Sequence, residues 1–447
     1  MLAIAEPLIH RYDVSGPRYT SYPPVPAWEP DFAVARWAEV LQDVPAADSF
    51  ALYAHFPFCA KRCLYCGCNA IASSRAAKID TYLDDFAHEL ALLTDALGWG
   101  RPLRQMHWGG GTPNLLSAAQ TERAWRLLTD AFAFAPDAEL SVEADPRVVA
   151  PGQLAHYRDL GFSRISFGVQ DLDAEVQHAI GRIQPLPLVQ DVVAQSRDAG
   201  FNEINLDLIY GLPRQTMRSV DATLDAVLAL DPDRLATFAY AHLPAQRPHQ
   251  RAIAVDALPG TLERVTLFRH IVQRLTAAGY TWIGFDHFAR HDDPLAIAQR
   301  EGRLHRNFMG YTTDPGPHLL GVGMSSISEV NGTFAQNAAT LTPWSDAVRA
   351  GSLPVVRGHT LTDDDRTRGG IIKQLLCNLE LPYAMVPTAL MAALAAVKAT
   401  AADGFVTLEP DRLVVTDLGR YFLRNLCLPF DAYLPKRASD RVFSRTL

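Results

Sequence analysis

No stretch of the 447 residues approaches the roughly 20 consecutive apolar positions that a membrane helix needs. The N-terminus, MLAIAEPLIHRYDVSG, has no basic region leading into an apolar core and a small-residue cleavage site, so it does not read as a signal peptide. A cytoplasmic protein without a membrane partner is expected. Low-complexity runs are absent, and so are internal repeats beyond an alternation of strand and helix patterns. No basic arm or stripe offsets the formal charge of -8, which argues against broad electrostatic binding to nucleic acid. Lysine is scarce. Most cations are arginine, whose planar fork suits carboxylates, although genome composition is the simpler cause. What remains, 48% apolar and 20% charged residues, is the composition of a soluble globular chain long enough for a sizeable core.

Of the six cysteines, Cys59, Cys63, Cys66 and Cys68 fall within ten residues, in FCAKRCLYCGC. A reducing cytosol disfavours a disulfide framework, so packed thiols point to metal or redox chemistry. The spacing C-x3-C-x2-C lets one short loop wrap a polynuclear iron–sulfur cluster, each thiolate reaching a different iron and one iron staying open for a chelating substrate or cofactor. A structural zinc site is the plainer alternative. Zinc usually takes two separated pairs of ligands, and four thiols crowded into one loop fit that less well. A catalytic C-x2-C dithiol is less well supported still, because no thioredoxin-like unit accompanies it. Cys377 and Cys427 stand apart in apolar surroundings and read as buried, inert thiols.

Short runs rich in β-branched and aromatic residues at 50–56, 105–108, 139–143, 164–167, 204–209 and 234–240 read as strands. Amphipathic stretches at 79–97, 118–134, 186–199 and 219–230 lie between them and read as helices. Six strands in series imply parallel pairing through right-handed crossovers. An open doubly wound sheet and a partial barrel both satisfy this. Polar and glycine residues gather at or just after the strand ends: His55, Gly109 to Gly111, Glu143, Gly168 with Gln170, Asp207, and Ala241 with His242. One mouth built from several strands favours the barrel. His55 and Tyr53, two positions apart on one strand, can share its inner face beside the cysteine loop.

A Pro-rich aromatic segment, RYTSYPPVPAWEPDF, precedes the first strand and reads as an ordered, non-helical extension. Beyond residue 330 the alternation stops. Helical stretches at 362–379 and 387–402 and a strand pair near Val406 and Val414 suggest a smaller C-terminal domain. The expected division is therefore an extension at 1–48, an α/β partial (β/α)6 barrel with flanking elements at 49–330, and a mainly helical domain at 331–447.

The loop, with an aromatic directly before its last cysteine, resembles that of the radical S-adenosylmethionine superfamily, and HWGGGTP resembles the superfamily's glycine-rich element after the second strand. Glycine is apt there because a missing side chain lets a backbone approach closely. Within the superfamily the chain is similar, over almost its full length, to oxygen-independent coproporphyrinogen III oxidases. The motifs are RYTSYP, LYAHFPFCAKRCLYCGCN, HWGGGTPNLL, VEADPR, FGVQD, NLDLIYGLP, AYAHLP, HFARHDDPLA, HRNFMGYTT, LLGVGMSSIS and FSR, in that order. Two positions depart from the family pattern while keeping an aromatic ring: Tyr65, where phenylalanine is common, and Phe334, where tyrosine is common.

The resemblance implies conversion of two propionates of coproporphyrinogen III to vinyl groups through a 5'-deoxyadenosyl radical, in heme biosynthesis. It implies one 4Fe–4S cluster on Cys59, Cys63 and Cys66, with Cys68 nearby but not ligating, and two molecules of S-adenosylmethionine. Tyr53, Glu143, Gly110 and Ile327 match positions near the cluster-bound molecule. Tyr65, Gly111, Thr112, Gln170, Arg182, Asp207 and Ala241 match contacts of the second. Tyr53, His55 and Glu143 are the catalytic candidates. Read without the resemblance, Asp207 could be a strand-end cap and Arg182 a surface ion pair. A low-potential electron donor such as a flavodoxin system and a monomeric state are expected. The rivals are a heme chaperone with a similar loop, a radical methyltransferase or heme-opening enzyme on the same scaffold, and a zinc-stabilised binding module.

Overall fold

The computed structural model describes residues 4–314, 316, 318–434 and 443–447. Six strands, β1 (Phe50–Phe56), β2 (Arg101–Gly110), β3 (Phe132–Ala144), β4 (Arg164–Gln170), β5 (Glu203–Tyr210) and β6 (Arg234–Ala239), pair in chain order, each parallel to the next. Helices make the crossovers: α1 (Ala76–Leu97), α2 (Ala118–Ala131), α3 (Gln153–Asp159), α4 (Ala174–Ile180), α5 (Leu186–Asp198) and α6 (Met217–Ala229). A seventh parallel strand, β7 (His318–Val322), lies on the other side of β1.

Two central strands show the alternation that makes a half-buried strand, apolar residues at every second position. Along β4, Ile165, Phe167 and Val169 are buried while Arg164, Ser166, Gly168 and Gln170 are not, and β5 repeats the pattern with Ile204, Leu206 and Leu208. The apolar set belongs to the main hydrophobic core, each side chain contributing about 1.5–3 kcal/mol on burial. The opposite, polar set lines a single internal cavity. The arc is open: its edge strands, Glu29–Pro30 and Tyr280–Ile283, do not pair with each other. The α/β class and the parallel six-strand run are thus as expected, on a sheet that remains a partial rather than a closed barrel.

Two local differences have physical causes. The helix expected to reach residue 134 stops at Ala131, because Phe132 turns to extended backbone and 132–134 pair with 101–103 of β2. The boundary placed at residue 330 falls inside a hairpin of the main sheet, Ile327–Val330 with Thr333–Asn337, and Val355–Thr360 continues that sheet further. A second core gathers the helices Pro294–Arg300, Asp363–Asn378, Met391–Ala399 and Leu423–Cys427. The N-terminal extension packs between the two cores. Tyr19 and Tyr22 join the second core, and Trp28 stacks on Phe334 at 4.9 Å.

Candidate cluster and cofactor site

The cysteine loop leaves β1 directly and returns through a two-residue parallel pairing of Phe58–Cys59 with Ile71–Ala72. The Leu64 amide donates to the Ile180 carbonyl at 2.9 Å, tying the loop to the end of α4. Hydrogen-bond donors converge on its sulfurs. The Thr112 hydroxyl donates to Cys59 Sγ at 3.3 Å, the Cys68 amide to Cys66 Sγ at 3.4 Å, and the guanidiniums of Arg182 and Arg147 to Cys63 Sγ at 3.5 and 3.6 Å. Such donors reward electron-rich thiolates, the form in which sulfur holds iron. Cys59, Cys63 and Cys66 all face the cavity, of about 590 Å³. Three thiols of one loop, each with a hydrogen-bond donor aimed at its sulfur, fit the thiolate set of a polynuclear cluster. Cys68 also faces this cavity, so its exposed surface opens inward rather than to bulk solvent. Cys377 and Cys427 lie in the second core, where burial pushes the Cys377 thiol up to about 12.

Glu143, near the end of β3, anchors the opposite wall. His107 Nε2 donates to its Oε1 at 3.2 Å and the Gly110 amide to its Oε2 at 3.2 Å. Burial pushes this carboxyl up, but the His107 hydrogen bond and charge and the Gly110 amide outweigh it, holding the group below its ordinary value. Although 44% of the side-chain surface is open, it opens into the cavity. His107 Nδ1 meets the Ser141 hydroxyl at 2.7 Å, and its ring stacks 5.9 Å from that of Tyr53.

Tyr53 and His55 stand behind this wall. His55 Nε2 reaches the Asn69 carbonyl at 3.2 Å. A carbonyl only accepts, so Nε2 carries the proton, Nδ1 is the acceptor, and the Tyr53 hydroxyl donates to it at 3.1 Å. Burial lowers His55 to about 4, so the ring is neutral near pH 7.

The glycine run does local work first. A Cβ on Gly110, whose φ is +120°, would meet the His55 ring at 2.9 Å, and one on Gly111 would meet the Pro57 carbonyl at 2.5 Å. These glycines admit the end of β1 and the start of the cysteine loop, a closer constraint than the approach of a cofactor on which the sequence argument rested.

Across the cavity, Asp145 bridges two guanidiniums, at 2.6 Å from Arg147 and 3.1 Å from Arg182. Burial acts to raise the Asp145 carboxyl, and the two arginines lower it on balance. Arg182 is therefore a buried tether of the loop, not a surface ion pair, and it also donates to the Gly168 carbonyl at 2.6 Å. Gln170 lines the cavity in left-handed backbone (φ +68°), where β4 shifts register against β5.

Asp207 is no strand-end cap. It points inward from β5, held by Asn205 at 2.8 Å and Ser166 at 3.2 Å, and burial with the nearby Glu143 charge raises it to about 6. Tyr65, Gly111, Thr112 and Ala241 border the same cavity, and Gln250 Nε2 donates to the carbonyls of Tyr65 and Ala241. Ile327 is not brought to this wall; it lies two strands from β1, beyond β7.

Beneath the polar wall is a layer of charge. Glu203 accepts from Arg164 and Arg234 at 2.7 Å each, Arg164 also pairs with Glu139, and Arg234 pairs with Asp293 at 2.7 Å. These residues, with His107, Ser141, Asp145 and Arg147, escaped the sequence reading as individual site residues. Their signal was parity: His107 precedes Gly109 by two, Ser141 precedes Glu143 by two, and such residues share a strand face.

The radical SAM superfamily model, where SAM is S-adenosylmethionine, matches residues 53–227. The chain is 39% identical to the oxygen-independent coproporphyrinogen III oxidase of Synechocystis sp. (98% of this chain, 97% of the relative). It is 41% identical to the protein of that name from Escherichia coli (98% of each). The solved structure of coproporphyrinogen III oxidase from Escherichia coli, described as a radical SAM enzyme, superposes with a TM-score of 0.89 at 40% identity, covering 93% of this chain and 98% of that one.

Proposed function

The chain belongs to the oxygen-independent coproporphyrinogen III oxidases of the radical SAM superfamily, and from that premise we propose that it decarboxylates two propionates of coproporphyrinogen III to vinyl groups, giving protoporphyrinogen IX for heme. The observation that carries the reading is the placement of three thiols of one loop on a polar cavity whose other walls hold Glu143 and Asp207. At about 590 Å³ that cavity is within the range, roughly 300–1,000 Å³, in which small-molecule sites fall.

Cys59, Cys63 and Cys66 are the residues to hold a 4Fe–4S cluster. When bound, cluster and SAM together supply one-electron cleavage of a sulfonium and, through it, abstraction of a hydrogen atom from the propionate β-carbon. Since hydrogen leaves as an atom and carbon dioxide departs with one further electron, the chain need supply no general base. His55, made a weaker base by burial, suits this; its Nδ1 accepts from the Tyr53 hydroxyl and orients it.

Glu143, kept ionised by His107 and the Gly110 amide, offers carboxylate oxygens to an amino group. Asp207 can accept from ribose hydroxyls, as carboxylates do in other nucleotide sites, and Arg182 can pair with a carboxylate. The side chains fix position and keep water out. The reading extends to two molecules of SAM, a low-potential donor such as a flavodoxin system, and a monomer acting in the cytoplasm without nucleic acid or membrane. No helix among the described residues is long and apolar enough to cross a bilayer.

Anaerobically reconstituted protein given SAM, a reductant and coproporphyrinogen III tests this by mass spectrometry of the tetrapyrrole. Stepwise loss of two carboxyl groups is expected. Recovery of the substrate unchanged, with intact heme bound instead, would replace the enzyme by a heme chaperone.

A further inference from the structure

The reaction read above draws its electron from outside the chain. The chain is acidic overall, at -8, yet residues 49–79, which carry the cysteine loop, contain no Asp or Glu, and neither do residues 235–255. These two acid-free segments are joined in space. His249 Nε2 donates to the Cys66 carbonyl at 2.8 Å, Gln250 Nε2 to the Tyr65 carbonyl at 2.9 Å, and Arg247 to Asn69 Oδ1 at 3.1 Å.

Their lysines and arginines are Lys61, Arg62, Arg75 and Lys78 from the first segment and Arg247 and Arg251 from the second, and all but the half-buried Arg247 are exposed. Among the described residues none of these six makes an ion pair, whereas arginines elsewhere, such as Arg123, Arg274 and Arg290, are each matched to a carboxylate. Unmatched cations beside one another raise each other's energy unless a partner brings the opposite charge. Beside the loop, where Gly181 packs near Leu64, Ile183 leaves 48% of its surface open and offers an apolar contact next to the cysteine loop.

Resting on the functional reading above, we propose that this rim is the docking surface for an acidic, low-potential one-electron carrier protein. Lys61 and Arg62 directly precede Cys63 and also line the cavity, so a carrier seated on this rim meets the cluster through the loop that binds it. The chain's net charge would repel an acidic carrier at long range. Screening confines each charge to about 8 Å at physiological ionic strength, so the local rim dominates once the partners meet. Rim charges of this kind act mainly on the association rate and its salt dependence.

The test compares two electron sources on reconstituted full-length protein: flavodoxin in its hydroquinone form, and dithionite. For the wild type, reduction of the cluster by flavodoxin, followed by stopped-flow absorbance, should slow as sodium chloride is added. Lys61→Glu with Arg251→Glu should slow it at least tenfold at low salt and flatten the salt dependence, Lys61→Arg should retain the wild-type rate, and dithionite should reduce every variant equally. Equal loss with dithionite, or an unchanged flavodoxin rate, would overturn the proposal. So would a defect confined to the KM for coproporphyrinogen III, which would make the rim a substrate contact. A wild-type protein whose cluster dithionite cannot reduce would instead sink the functional reading, and this surface with it.

Discussion

Replacing Gly111 by alanine isolates the contact between the glycine run and the cysteine loop. The new Cβ would lie 2.5 Å from the Pro57 carbonyl oxygen and 2.8 Å from that of Phe58. Non-bonded heavy atoms rest near 3.5 Å, so the backbone must give by about 1 Å. Neither partner is a flexible side chain. Cys59 follows Phe58 in the same two-residue strand, and the Gly111 amide itself donates to the Phe56 carbonyl at 2.8 Å. The displacement is therefore delivered to the first thiol. Overpacking of this kind costs about 1–3 kcal/mol, and each kcal/mol lowers Tm by about 2–4 °C in a domain of some 200 residues. Metal sites tolerate only about 0.2 Å of misplacement, so cluster occupancy should suffer more than stability. Calorimetry should show a Tm lower by several degrees, and iron and sulfide content after anaerobic reconstitution should fall by half or more. Gly370→Ala is the opposite case: it lies in the helix Asp363–Asn378 with nothing within 4 Å of its Cβ. It should stabilise by up to about 1 kcal/mol. A Gly111→Ala protein with full iron and a Tm within a degree of wild type would refute the reasoning.

Glu89 makes the chain's stability depend on pH. Burial raises its carboxyl from 4.5 to about 7, against hydrogen bonds from the Gly323 amide, Trp344 Nε1 and Asn337 Nδ2. An acid held higher in the folded state takes up a proton on folding, so stability should fall as pH rises from 4.5 through 7, by on the order of 3 kcal/mol in total. Urea denaturation at pH 5.5 and 8 should show about 2 kcal/mol of that loss in the wild type and a smaller one in Glu89→Gln; equal pH slopes would refute it. Arg147→Leu removes a cationic donor 3.6 Å from Cys63 Sγ and should lower the cluster's reduction potential by tens of millivolts, read by an EPR-monitored redox titration. An unchanged potential would mean that Arg147 serves only Asp145.

The six parallel strands were legible as short apolar or alternating runs rich in β-branched and aromatic residues, and the cysteine loop because its spacing is rare. The flanking strands were not. His318–Val322 is buried at every position, and periodicity cannot separate such a run from a buried helix segment. The strands 280–283 and 287–290 are four residues each, too short to show a period. In the site, Glu143 was found while its partner His107 was not, because only the register of β2 against β3 sets His107 beside Ser141. Asp145 and Arg147 stood in plain view in VEADPR, but nothing in that string places a guanidinium on Cys63, which is reached only after the chain has crossed α1 and α2. The charged floor is hidden for the same reason, as Arg234 and Asp293 meet across the turn back into 287–290.

The most direct measurement replaces each loop cysteine by alanine in turn and records iron, acid-labile sulfide and 5'-deoxyadenosine formed from SAM under dithionite. The account predicts four irons and steady cleavage in the wild type and in Cys68→Ala, with both lost in Cys59→Ala, Cys63→Ala and Cys66→Ala. A Cys63→Ala protein that keeps its iron and cleaves SAM at the wild-type rate would contradict it.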